Sequence, residues 1–271
     1  MTTPARDRRR RTPIALLIPA VLGGLLVVLP LIGLVQRAPW ADLWRLLGTD
    51  TVREALRLSM LTSLAATLIS VVLGVPLAWV LARVEFPGKR VARALVTLPM
   101  VLPPVIGGAA LLLALGRRGL VGQYLDQWFG VVLPFSTAGV IVAETFVAMP
   151  FLVITVEAAL RGADRRYEDA AATLGARPFT LFRRVTLPMI RPALLAGAVL
   201  CWARALGEFG ATITFAGNLE GRTQTMPLAV FVARESDRGA AIAISLVMVA
   251  ISLAVLIGLR DRWLATGDTP R

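Results

Sequence analysis

The chain has 271 residues, of which 56% are hydrophobic and 17% charged, with a net charge of +12. With glycine added, the apolar share rises well above the about 45–50% of a soluble domain, and mean hydropathy is +0.72. A single cysteine, Cys201, and the lack of histidine exclude an intrachain disulfide and a His/Cys zinc site.

Six apolar blocks follow in chain order: Ile14–Val35, Leu58–Ala82, Ala94–Leu115, about Val131–Glu157, about Met189–Gly217 and Gly239–Leu259. Each is long enough to cross a hydrocarbon core of about 30 Å at about 1.5 Å per residue. The first block follows the basic run RDRRRR. It is longer than a signal-peptide core and shows no small-residue cleavage site, so it reads as a retained first helix. The third contains Pro99, Pro103 and Pro104, which break the helix and free backbone carbonyls. The fourth is interrupted by Glu144 and Pro150, and the fifth carries Arg191, Arg204 and Glu208. Cys201, inside the fifth, reads as a small buried hydrophobe.

Arginine and lysine are unevenly shared between the loops. The N-terminal run, the turn EFPGKR with Arg83 and Arg93, the segment from Arg161 to Arg191 and the C-terminal tail form the richer set. By the positive-inside bias these face the cytoplasm, and both termini lie there. The expected organisation is a basic cytoplasmic N-terminus at 1–13, one six-helix transmembrane domain at 14–260 and a short cytoplasmic tail at 261–271. The net positive charge is accounted for by these loops and calls for no nucleic acid.

One cytoplasmic segment, 164–188, is too polar to span. It reads ADRRYEDAAATLGARPFTLFRRVTLP from Ala163 to Pro188. Asp164 is a cap candidate, and Glu168 and Asp169 suit the first turns of a helix. Ala170, Ala171, Ala172 and Leu174 continue it. Gly175 can end it in a left-handed conformation, and Pro178 suits the start of a second short helix. Leu187-Pro188 then leads into the fifth span. Two readings are open on physics alone: an amphipathic piece lying among headgroups, or a small-faced knob on which a partner docks.

This segment resembles the permease loop of ATP-binding-cassette importers, E-A-A-x3-G-x9-I-x-L-P. Asp169-Ala170-Ala171, Gly175, Val185, Leu187 and Pro188 stand at the same spacing. Asp169 replaces Glu, with Glu168 beside it, and Val185 replaces Ile. A narrower resemblance, to molybdate permeases, covers LPMVLPPVIGGAALLLALGRRGLVG at Leu98–Gly122 and WARALGEFGATITFAGNLEGRTQTMPLAVF at Trp202–Phe231. Sulfate/thiosulfate and tungstate permeases are close relatives. The resemblance implies an all-α, type I importer permease in the bacterial cytoplasmic membrane. It also implies a homodimer, two ATPase subunits that hold the ATP and Mg, and an extracytoplasmic oxyanion-binding protein. Glu168, Asp169, Ala170, Ala171, Gly175, Leu187 and Pro188 would then couple the chain to the ATPase, with no cofactor in the chain itself.

Arg204 and Glu208 lie four apart on one helix face. Counting from Met189 at about 1.5 Å per residue puts Arg204 about 22 Å into the span. They are either a self-neutralising pair with Arg204 snorkelling to the outer interface, or a gate that draws in an oxyanion. Gly210, Thr212 and Thr214 offer approachable N–H groups and hydroxyls for a tetrahedral oxyanion, and serve close helix packing equally well. With Pro103 and Pro104 they make the third and fifth spans the candidate path.

The chain has no G-x-x-x-x-G-K-[ST]; its only lysine, Lys89, stands in PGKR. Hydrolysis of ATP by a phosphate loop of that form is therefore excluded. The expected function is the membrane subunit of an ATP-driven molybdate importer. Tungstate and sulfate/thiosulfate are the alternative substrates. A gradient-driven transporter using Glu144 or Glu208 is the alternative of another class, and it would call for inverted repeats, which the sequence does not show.

Overall fold

The protein's structure, a computed structural model, describes residues 14–264. Within them the chain is helix and connecting loop, with no strand. The expected N-terminal segment 1–13 and residues 265–271 of the expected tail lie outside the described residues.

The long helices are α1 (Ile14–Gln36), α3 (Asp50–Arg83), α7 (Thr137–Gly162), α10 (Leu187–Leu206) and α13 (Arg238–Leu264). Short ones lie between them: α2 (Leu43–Leu47), α4 (Lys89–Val101), α5 (Pro104–Leu115), α6 (Gly122–Phe129), α8 (Arg166–Thr173), α9 (Pro178–Leu181), α11 (Gly210–Phe215) and α12 (Met226–Ser236). Among the described residues five helices are long and apolar enough to span a membrane, or six when the bent pair α4–α5 is counted as one span.

The third block is therefore not one straight helix. Its halves meet at 119°. Leu102 and Pro103 are both extended, with ψ of 133° and 129°. Each precedes a proline, whose ring excludes the helical conformation from the residue before it. Pro104 then takes the first helical position, where its missing N–H costs nothing.

Three other expected boundaries shift. The second span starts at Asp50 rather than Leu58, because Val52 and Ala55 pack with Met226, Ala229 and Ile244 of α12 and α13. The fourth begins at Thr137, where the Ser136 hydroxyl accepts the Gly139 N–H at 3.0 Å. The fifth ends at Leu206, and the rest of the expected span forms the separate α11.

The core is built on α7, held between α3 and α10. Leu81, Leu152, Val156, Leu160, Ile190 and Cys201 are buried in one cluster, as expected for Cys201. Close approach depends on two glycines. A Cβ on Gly74 would lie 3.3 Å from Leu152, and one on Gly197 would lie 3.2 Å from the same side chain. Ser59, Ser63, Ala66, Ser70, Gly74 and Ala78 form a buried small-residue stripe along α3. Lipid tails are as apolar as leucine, so packing of this kind takes the place of a hydrophobic driving force. By contrast, the spanning window of α1 has none of its residues buried.

Candidate functional site

Two regions matter, one at each end of the bundle. At the arginine-rich end, contacts between loops distant in sequence gather the segment 164–188. The cap of α8 is Arg165 rather than the expected Asp164, which lies one residue earlier and accepts the Arg166 N–H at 3.0 Å. Gly175 closes α8 with φ +80°, the left-handed conformation expected there. The Gly175 N–H reaches the Ala172 carbonyl at 2.9 Å and the Ala176 N–H reaches that of Ala171 at 3.0 Å, so the last carbonyls are satisfied. Pro178 takes the first position of α9.

The second helix is not separate from the fifth span, as the sequence reading had it. From α9 the chain passes through a π-helical turn, Phe182–Thr186, into α10. Pro178–Leu206 is one rod of 29 residues. Pro188 has no N–H and its ring crowds the carbonyl four residues back, and the widened turn lies just before it. Leu187 and Pro188 are thus inside the helix.

Glu168 turns inward. Its Oε1 accepts from Arg83 Nη2 at 3.1 Å and from the Thr186 hydroxyl at 2.9 Å. One carboxylate oxygen thereby joins α8 to the end of α3 and to the π-turn. Neither Arg83 nor Thr186 was singled out in the sequence. The available signal was a charge at the last position of a span and a hydroxyl between Val185 and Leu187. Asp169 and Ala170 face outward and Ala171 is half-buried. Beside them, Leu174 is 89% exposed and Phe179 74%, so the elbow presents an apolar surface that no other described residue covers.

Toward the opposite end, α5 crosses α11. A Cβ on Gly108 would stand 2.8 Å from the Ala211 carbonyl oxygen, and one on Gly210 would stand 2.8 Å from Pro104 Cβ. Thr214 gives its hydroxyl to the Gly210 carbonyl at 2.8 Å. Pro104, Gly210 and Thr214 therefore meet in one interface, while Pro103 stays at its exposed edge. Thr212 is fully buried, and its hydroxyl has no hydrogen-bond partner among the described residues.

Arg204 and Glu208 form an ion pair, with Nη1 to Oε2 at 2.6 Å. Glu208 is only 1% exposed, and its Oε1 accepts the Ala211 N–H at 2.8 Å. The carboxylate thus fastens the end of α10 to the start of α11. Glu144, on α7, is also buried, with Oε1 accepting from the Thr62 hydroxyl at 2.9 Å. Its other oxygen has no partner among the described residues. Among the described residues no group of histidine, cysteine and carboxylate side chains could hold a metal ion.

Residues 70–264 match the family described as binding-protein-dependent transport system inner membrane component. The chain is 48% identical over 252 residues to the molybdenum transport system permease protein ModB of Mycobacterium bovis, covering 93% of this chain and 95% of that one. It is 38% identical over 239 residues to the sulfate transport system permease protein CysT of Salmonella typhimurium, covering 87% and 86%. A chain in the crystal structure of a bacterial ABC transporter that imports the acidic polysaccharide alginate has the same fold. Its TM-score is 0.74 at 19% identity, over 92% of this chain and 93% of that one. The chain belongs to the family of binding-protein-dependent transport system inner membrane components.

Proposed function

We propose that this chain is the membrane-spanning subunit of an ATP-driven importer of molybdate. The observation that carries the substrate is the near-complete, 48% identical match to a molybdenum permease, against 38% for a sulfate permease. ATP hydrolysis belongs to a separate ATPase subunit, which holds the nucleotide and its magnesium. An extracytoplasmic protein delivers the anion.

The elbow is the coupling element. Asp169, Ala170, Ala171 and the exposed Leu174 and Phe179 form its outer surface. Gly175 sets the bend, and Glu168, Leu187 and Pro188 connect it to the bundle. A push on α8 passes through Arg83 to α3 and through Thr186 to α10. The Pro178–Leu206 rod is about 43 Å long at about 1.5 Å per residue. It ends near Arg204 and Glu208, so the same movement acts on the outer gate. Pro103, Pro104, Gly210, Thr212 and Thr214 frame that gate. Two copies of the chain make a two-fold pore, and alternating access moves the anion across.

Competition uptake in cells carrying the whole transporter tests the substrate. Excess molybdate or tungstate should abolish uptake of labelled molybdate, and equal excess sulfate should leave most of it. Equal inhibition by sulfate would assign the chain to the sulfate class.

A further inference from the structure

At the arginine-rich end, beside the elbow, lies an open surface pocket of about 480 Å³ lined by Glu85, Phe86, Gly88, Lys89, Arg90, Arg93 and Arg161. No part of the coupling or gate machinery uses it. Its charges do not balance. Lys89 is paired with Glu85 at 2.8 Å. The Glu157 carboxylate, just behind the wall, accepts from both Arg93 and Arg161 at 2.8 Å. Four cations face two carboxylates, and among the described residues Arg90 has no ionic partner. Two positive charges are left over.

Lys89, Arg93 and Arg161 are held in place before any ligand arrives, and Arg90 stands beside them with no such tie among the described residues. Arg93 bonds Glu157 through Nε at 2.9 Å as well as through Nη2, and reaches the Leu81 carbonyl. Pre-organised guanidinium forks suit planar, multi-point recognition of tetrahedral oxyanions. The Lys89 hydrogen bond, the Lys89 charge and then that of Arg93 hold the Glu85 carboxyl below its ordinary range, a sign of the same field. From the pocket, Val91, Leu95 and Leu98 run along α4 as an exposed apolar face at i, i+4 and i+7. A basic pocket at a membrane surface with an apolar track leaving it is the arrangement that takes an anionic headgroup and its chains.

We propose that this pocket binds a phosphate-type tetrahedral oxyanion, the chemistry shared by a phospholipid headgroup and free inorganic phosphate. The test reads the thermal unfolding midpoint of the full-length chain in three settings: vesicles of phosphatidylcholine alone, vesicles with added phosphatidylglycerol, and phosphatidylcholine vesicles with inorganic phosphate. A rise with phosphatidylglycerol only assigns the site to lipid, and a rise with phosphate in the neutral vesicles assigns it to the free anion. In either case Arg90→Gln should lose the rise, and Arg90→Lys should keep most of it. Arg90 lies outside the ion pairs of the fold, so Arg90→Gln in neutral vesicles should unfold at the wild-type midpoint. A second measurement needs no variant: a photoactivatable phosphatidylglycerol should label the wild-type chain at the start of α4, with label lost on competition by phosphatidylglycerol or by phosphate. No rise in either setting, a full rise in Arg90→Gln, or labelling only elsewhere would overturn the assignment.

Discussion

Glu168 ties the proposed docking element to the bundle through a single oxygen. Its Oε1 takes two hydrogen bonds from side chains at the end of α3 and in the π-turn, and the Arg83 side chain is only 8% exposed. Arg83→Met should remove a charge-assisted hydrogen bond worth about 1.5–3 kcal/mol. Amide exchange in α8 should then speed up while the core of α7 stays protected. Unchanged exchange would mean the contact adds no stiffness. Gly175 is a different case. A Cβ there meets open space, so only its φ of +80° resists substitution. Gly175→Val should cost about 1–2 kcal/mol through backbone strain. It should leave membrane insertion intact and lower uptake per ATP hydrolysed; a normal ratio would remove Gly175 from the coupling role. At the proposed gate, Arg204→Ala strands a carboxylate that is 1% exposed, at a cost of about 3–5 kcal/mol. Arg204→Met with Glu208→Gln removes both charges and should recover stability but not uptake. Recovery of both would leave Arg204 and Glu208 with a structural role alone.

At the scale of elements, close packing decides the shape, and glycine marks where it happens. Gly108→Ala should separate α5 from α11, because its Cβ would stand 2.8 Å from a backbone oxygen that cannot swing away. Overpacking of this kind costs about 1–3 kcal/mol. The expected result is a lower unfolding midpoint, and an unchanged midpoint would show that the crossing is not tight. Here the limits of reading the sequence are physical. Six apolar runs were visible because a spanning helix needs about 20 apolar residues. The break in the third was visible because consecutive prolines admit no helix. The break in the fifth was not: Gly207 and Gly210 are as much at home in a helix interface as at its end. What ends α10 is a fold between two helices fastened by Glu208 to the Ala211 N–H. The cap of α8 falls on Arg165, one residue after the expected Asp164, whereas the turn at Gly175 is local and was readable. The Arg83–Glu168–Thr186 contact joins residues 85 and 18 positions apart and was not.

For the whole molecule, the proposal gives the two ends different work, with α10 connecting them. The arginine-rich end carries the elbow and the basic pocket, and the other end carries the α5–α11 crossing and the helices α2, α6 and α12. The exposed α1 and the uncovered Leu174 and Phe179 are the surfaces that lipid, a second copy and the ATPase would cover in the assembly. The most direct test is accumulation of labelled molybdate in proteoliposomes, measured with the ATPase and binding protein present and with each left out. Accumulation should require the ATPase, the binding protein and ATP together, and should fall sharply in Gly175→Val while ATP hydrolysis continues. Accumulation by the chain alone, driven by an ion gradient without nucleotide, would contradict the proposal that a motor acts through the elbow.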